Sequence, residues 1–391
     1  MISYKAAVKI ISENTFILKN PELKKVTDSL GYVTSEDIKS GTDLPPFDQS
    51  NVDGYAVTNS VIGQWRIIRE IRAGDHPDFR LKKGEAVRVF TGAELPAGTY
   101  SVLMQENVST ESDKLNCHAE KIVKGKFIRK KGIQIKKGTP AIRRGTLINP
   151  AVIGFLFSMG IKFVKVYRKP VLSLIVTGDE LLEAGAELKE GKVYESNSGL
   201  LRGLARYNGF EIRYTAAARD RKSDLKSKVK TLLKKSDILL ISGGVSVGKY
   251  DYVNEVLNEL NVSKLFYKVS QKPGKPLYFG KKSNTSVFGL PGNPASAFTC
   301  FYLYVLPVLK KMSGHKKFLP VWKKLPVAKE IRKDFNLSWF LRAKYSDNNV
   351  MPLDAQASFM LRTLTEANCF IHMPLNKNKI SKGEFADVCI F

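Results

Sequence analysis

The sequence predicts a multidomain α/β plus β protein. Its centre is a three-layer α/β domain with a mostly parallel sheet, flanked by a β-rich N-terminal region and a small C-terminal β-barrel. Three observations carry this prediction. The chain has 391 residues, enough for two to four domains at roughly 100–200 residues each. Between residues 166 and 312, apolar runs alternate with amphipathic stretches, as strands and covering helices do in a parallel sheet. On both sides of that region the apolar runs are short and split by Gly and Pro. The implied domains are 1–165 (two subdomains, discontinuous), 166–312 and 313–391.

Taken in order, the chain opens with an amphipathic helix over Ser3–Asn14, which places Ala6, Ala7, Ile10 and Ile11 on one face. A polar, Pro-rich loop, GTDLPPFDQSNVDGYAV, follows, with Asp53-Gly54 read as the tip of a rigid turn. WRIIREI, EAVRVFTG, SVLMQENV and KIVKGKFI read as short strands, and Ala151–Met159 as a buried helix. In the central region VLSLIVTG, FEIRYTAA, DILLISGG and SVFGLPG are predicted strands. SGLLRGLARYNG, SDLKSKVKTLLKK, DYVNEVLNEL and PASAFTCFYLYVLPVLKK are predicted helices, with Ser223 as an N-cap and Gly209 as a stop. A basic linker, GHKKFLPVWKK, leads to short strands that end in GEFADVCIF.

Composition narrows the function classes. Hydrophobic residues make up 43% and charged residues 26%, an ordinary globular balance. Sixty-three Lys and Arg against 37 Asp and Glu give a formal charge of +26, which favours anionic partners. Cys117, Cys300, Cys369 and Cys389 have no metal-ligand spacing and suggest no disulfide framework, so a reducing cytoplasm is the expected compartment. The first residues lack the apolar core of a signal peptide. The longest apolar run, Ala297–Leu309, is shorter than the about 20 residues a membrane span requires. A soluble protein with no membrane partner is expected.

The chemistry concentrates in four loops that leave strand ends of the central region: TGDELL, SGGVSVGKYDY, KPGKP and LPGNPASA. Ligands of parallel α/β sheets sit at that edge. Gly243, Gly244 and Gly248 let the backbone approach a ligand and turn N–H groups towards an anion, with Ser246 between them. Asp251 opens a helix and would serve there as an N-cap in any case. Together with Glu180, Lys272, Lys275, Pro291 and Asn293, these loops read as a site for a phosphate-bearing ligand, with carboxylates free to hold Mg²⁺. No G-x-G-x-x-G opens a βαβ unit and no G-x-x-x-x-G-K-[ST] is present, which disfavours nicotinamide dinucleotides and P-loop ATP hydrolysis. His76, His118, His315 and His372 are scattered, which disfavours a Ser-His-Asp hydrolase or a His-based zinc enzyme.

GGVSVGKYDY, KPGKP, LPGNPAS, TGDEL and SNVDGYAV together carry a resemblance, over essentially the whole chain, to the molybdopterin molybdenumtransferase family. These are the molybdenum-insertion enzymes, to which the C-terminal catalytic part of gephyrin is related. The resemblance implies the last step of molybdenum cofactor biosynthesis: molybdate and adenylylated molybdopterin enter, and cofactor and AMP leave. It implies Asp53, Thr91, Glu180 and Asp251 as catalytic residues and Glu180, Asp220 and Asp251 as ligands of Mg²⁺. It implies Gly243, Gly244, Ser246, Gly248, Lys272, Lys275, Pro291, Asn293 and Ser358 as substrate contacts. It further implies a homodimer in which Asp53 and Thr91 act across the interface, and dealings with a molybdopterin adenylyltransferase and with apo-molybdoenzymes. Two departures stand out. Gln134 occupies a place where the family commonly has an acid, and Asn51-Val52 replaces the usual Ala-Met. Gln134 can hydrogen-bond but cannot neutralise a cation.

Three rival readings are weaker. Adenylyl transfer to molybdopterin would be accompanied by a GGTG loop rather than GGVSVG. An interaction scaffold has no support beyond the shared domain. Nucleic-acid binding rests on Lys121–Gly145, which holds ten Lys or Arg and no acid. There the basic residues interleave with apolar ones as on half-buried strands, and no recognition helix or aromatic RNA-binding signature accompanies them.

Overall fold

The computed structural model describes residues 1–59, 63–118, 121–244 and 252–391, and the chain forms two compact units. One unit comprises Met1–Glu22, Gly31–Ser35 and Val166–Phe391; the other comprises Leu23–Leu30 and Glu36–Lys165. The chain starts in the first unit with helix α1 (Tyr4–Glu13), where the Ser3 hydroxyl accepts the Ala6 N–H at 3.2 Å. Ala7 and Ile11 of its apolar face are buried in the central core.

The second unit is built on a six-stranded sheet. Its strands are β1 (Gly54–Val57), β2 (Gln64–Ile71), β3 (Glu85–Val89), β4 (Ser101–Met104), β5 (Val108–Glu111) and β6 (Lys114–Cys117), in the order β4-β1-β3-β2-β6-β5. Gly54 lies inside β1, not at a turn tip, and is needed for a close approach: a Cβ there would sit 1.9 Å from the Leu103 carbonyl oxygen. The strand expected over KIVKGKFI does not form. Gly125 and Phe127 both take positive φ (76° and 59°), which ends an extended run, and only Ile128–Arg129 pairs, with Gln49–Ser50. Helix α2 (Pro150–Ser158) is present, started by Asn149 and Pro150, but it is not buried. Leu156 alone is buried, and Phe157 is exposed.

The remainder of the first unit holds a six-stranded sheet and a C-terminal β domain. The central elements are β7 (Leu172–Thr177), α3 (Asn197–Tyr207), β8 (Ile212–Ala218), α4 (Lys222–Leu233), β9 (Ile238–Ser242), α5 (Val253–Glu259), β10 (Ser263–Tyr267), β11 (Gln271–Lys272), β12 (Tyr278–Lys282), β13 (Thr285–Leu290), α6 (Pro294–Cys300) and α7 (Leu306–Met312). The sheet runs β8-β7-β9-β13-β12-β10, its first four strands parallel and its last two antiparallel. Alternate residues feed two cores. Leu172, Leu174, Ile238 and Leu240 pack under α1, α3 and α6, while Ile175, Leu239 and Ile241 pack under α4 and α5. A three-layer domain results. Ser223 is not the N-cap of α4, since the helix begins at Lys222 and the Asp224 carboxylate takes the Arg219 N–H instead. Between α6 and α7 the helix widens into a π turn over Phe301–Val305, which accommodates Pro307 and its missing N–H.

The C-terminal domain consists of β14 (Trp322–Pro326), β15 (Ser338–Ser346), β16 (Asn349–Pro352), β17 (Cys369–Met373) and β18 (Phe385–Ile390). Its sheet runs β11-β15-β17-β18-β14, with β16 on β15, so the short central strand β11 joins it directly. Among the described residues no helix is long and apolar enough to cross a membrane.

Candidate active site

Strands β7, β9 and β13 end in register, Val176 beside Ser242 and Ser242 beside Leu290, so the loops that follow them open on one edge. A cavity of about 800 Å³ lies there. Its floor includes Thr177, Gly243, Gly244, Pro291 and Asn293; Glu180 and Asp220 line one side, and Phe359 and Leu361 of the C-terminal domain another. Gly243 has φ +92°, and a Cβ there would lie 2.6 Å from the Thr177 carbonyl oxygen, so the chain can pass this close only as glycine. Asn197, at the start of α3, donates to Ser242 Oγ (2.9 Å) and to the Gly292 carbonyl (2.7 Å), tying two strand ends together. The Asn197 side-chain amide oxygen and the Thr177 hydroxyl, both on residues of the cavity lining, are buried without a partner among the described residues.

The acidic side of the cavity is crowded. Asp220 Oδ2 accepts the Asp179 N–H at 3.3 Å, and Asp179 Oδ1 accepts the Asp220 N–H at 3.1 Å. Burial, then the neighbouring Asp179 and Glu180 carboxylates, push the Asp220 carboxyl above its ordinary range. Hard oxygen donors crowded to this degree fit a divalent cation such as Mg²⁺. Among the described residues, however, no group of three or more acid, His or Cys side chains is placed to hold a metal. Of the expected set, Glu180 and Asp220 both line the large cavity. Asp251, with Ser246 and Gly248, lies outside the described residues.

A second cavity of about 280 Å³ shares Pro276, Pro291 and Asn293 with the first. It is lined by Lys272, Lys275, Gln356 and Ser358, and the Asn293 amide donates to Ser358 Oγ at 3.0 Å. The Lys272 ammonium sits 4.3 Å from the centre of the Phe335 ring and 5.7 Å from that of Trp339, a cation–π setting. Arg342, on β15, is only 1% exposed. Its Nη2 donates to the carbonyls of Ala355 (2.8 Å) and Ala357 (3.1 Å), on either side of Gln356, while Nε and Nη1 are buried without a partner among the described residues. Sequence reasoning missed Arg342, because an Arg in an alternating strand reads as a solvent residue. Asn197 and Phe359 were missed too; Asn197 directly precedes the helix predicted from Ser198, and Phe359 directly follows Ser358.

Asp53 and Thr91 lie in the second compact unit and meet there. Asp53 Oδ1 accepts both the Thr91 N–H (2.8 Å) and the Thr91 hydroxyl (2.9 Å). These bonds hold the exposed Asp53 carboxyl below its ordinary range, so it is ionised. Gln134 is exposed in the same unit, its N–H bonded to the Leu44 carbonyl.

Three family descriptions match in succession: MoeA N-terminal region (domain I and II) over residues 2–160, probable molybdopterin binding domain over 173–311, and MoeA C-terminal region (domain IV) over 324–391. A molybdopterin molybdenumtransferase of Staphylococcus epidermidis is 31% identical over 401 residues, spanning 100% of this chain and 95% of that protein. One from Haemophilus influenzae is 32% identical over 376 residues, 93% of this chain and 92% of the other. Among solved structures, the molybdopterin biosynthesis moeA protein of Pyrococcus horikoshii OT3 superposes with a TM-score of 0.86 at 29% identity, covering all of both chains.

Proposed function

The chain belongs to the MoeA family of molybdopterin molybdenumtransferases, and from that premise we propose how its own residues serve the molybdenum-insertion step of cofactor biosynthesis. Adenylylated molybdopterin and molybdate enter, and the molybdenum cofactor and AMP leave. Adenylyl transfer is not favoured, because the relatives that match over nearly the whole chain carry the molybdenumtransferase name.

One observation carries the reading: a small cavity with two lysines shares Pro276, Pro291 and Asn293 with a larger one with carboxylates, at the ligand edge of the sheet. Molybdate is a tetrahedral dianion. The small cavity offers it the Lys272 and Lys275 ammonium groups and the Ser358 hydroxyl, on a segment that Arg342 holds by its bonds to the Ala355 and Ala357 carbonyls. The large cavity has room for the pterin and its phosphates, and the backbone at Gly243 and Gly244 can come close to them. Glu180 and Asp220, with Asp251, would hold Mg²⁺; when bound, it neutralises phosphate charge at the bond to be broken. Asp53, ionised and fixed by Thr91, completes the site of the second subunit in a homodimer. The cytoplasm is the compartment this reading assigns, with a molybdopterin adenylyltransferase supplying the substrate and apo-molybdoenzymes taking the product.

The lysine cavity is tested by calorimetric titration of molybdate into the wild type, Lys275→Ala and Ser358→Ala. Loss of the ammonium should weaken binding about tenfold or more, and loss of the hydroxyl about threefold to tenfold. Unchanged affinity in both variants would remove the oxyanion site from this cavity.

A further inference from the structure

The turn that presents Lys272 and Lys275 is held by a neighbouring side chain of the small cavity's lining, Gln271, to which no role has been given above. Gln271 is completely buried, although it carries four hydrogen-bonding positions. Its amide nitrogen donates to the Pro273 carbonyl at 3.1 Å and to the Gly274 carbonyl at 3.3 Å, the two oxygens between the lysines. Its amide oxygen accepts the Tyr304 hydroxyl, and that phenol is itself fully buried and held protonated by burial. Carbonyl oxygens only accept, so the orientation of the amide is fixed: nitrogen towards the turn, oxygen towards the phenol.

Two further contacts make the turn a seated one. Gly274 has φ +86°, and a Cβ there would lie 2.6 Å from Cys300 Sγ, so the turn rests directly on α6. The Val269 N–H bonds to the Lys275 carbonyl at 3.0 Å and closes the loop across its base. Tyr304 stands in the π turn, where the helix departs from α geometry. An apolar side chain of the same length would fill the space under the turn equally well. What it could not supply is a direction for the two carbonyls, and through them for the lysines.

We propose that Gln271 and Tyr304 form a positioning pair that sets the Lys272–Lys275 turn for capture of an oxyanion; the inference rests on the reading of that turn as the molybdate subsite. The pair acts through the backbone of the turn, by the bonds from Gln271 to the Pro273 and Gly274 carbonyls.

The test compares wild type, Gln271→Met, Tyr304→Phe and the double variant in molybdate titration and in steady-state AMP release, with Lys275→Ala as the reference. Gln271→Met should raise KM for molybdate about tenfold and leave kcat within about twofold, because the lysines remain but are no longer aimed. Tyr304→Phe, which removes one oxygen atom, should raise KM about threefold, and the double variant should be no worse than Gln271→Met alone. A folded Gln271→Met with wild-type KM, or effects that multiply in the double variant, would overturn the pairing. Should Gln271→Met fail to fold, Tyr304→Phe decides: a raised KM at unchanged kcat supports the pair, and a wild-type KM refutes it. If Lys275→Ala binds molybdate normally, the subsite reading fails and the inference with it. If Lys275→Ala weakens binding and Gln271→Met does not, the positioning role alone is wrong.

Discussion

Asp220 carries a cost that a purely structural residue would not. Its carboxyl is pushed up by burial and by Asp179 and Glu180, so the folded chain binds a proton more readily there than the unfolded chain does. Stability must then fall as pH rises from the ordinary carboxylate range through the raised folded-state value. Asp220→Asn removes that charge and should raise the melting temperature at pH 7.5 by about 1–3 °C while lowering turnover at least tenfold. A variant that loses both stability and activity would make Asp220 structural. His372 has the opposite sign. It stacks on Phe340 at 4.8 Å between Tyr4 and Trp322, its Nε2 is buried without a partner among the described residues, and burial holds its pKa down to about 4. The unfolded chain takes up that proton near pH 6.5, so stability is full above 6.5 and is lost as pH falls towards 4, on the order of 2–3 kcal/mol. His372→Phe should flatten that part of a denaturation-versus-pH curve, and an unaltered slope would place the acid sensitivity elsewhere. At this scale the sequence was legible where charge and glycine mark a loop, as at Lys272, Lys275 and Gly243. It was not legible at Arg342, whose burial depends on carbonyls of a loop more than ten residues away.

Elements with a clear hydrophobic period were readable: α1, the parallel strands, and the helices between them form where the alternation changes from two to three or four residues. Those that failed did so for local reasons. KIVKGKFI alternates like a strand, yet positive φ at Gly125 and Phe127 breaks it. The helix at Pro150–Ser158 is apolar all round, a composition that reads as buried although its face is open within its unit. Strand β10 was missed because SKLFY has no clean alternation and pairs only as the antiparallel edge of the sheet. Gly54 shows what a sheet can demand of one residue. With a Cβ 1.9 Å from the Leu103 oxygen, Gly54→Ala must push β1 and β4 apart, and it should cost about 2–4 kcal/mol in urea unfolding of the full chain. A loss under about 0.5 kcal/mol would mean that the sheet yields there.

At the scale of the whole molecule, the fold class and the family were legible because five motifs occur in order along the chain, each at a strand end or loop. The site was only partly so. The sequence pointed to the sheet edge and its lysines, while the two-cavity arrangement and the Asn197 tie needed the tertiary structure. The formal charge of +26 agrees with the proposed dianion and phosphate-ester substrates, and two of its lysines line the small cavity. The central claim is that these cavities couple oxyanion binding to release of AMP. The measurement that tests it most directly is AMP release from adenylylated molybdopterin by the purified full chain in Mg²⁺, with and without molybdate. Release that requires molybdate, and that stops when the Mg²⁺ is chelated, is the predicted result. Release at the same rate without molybdate, or none at all with the ligand still bound, would contradict it.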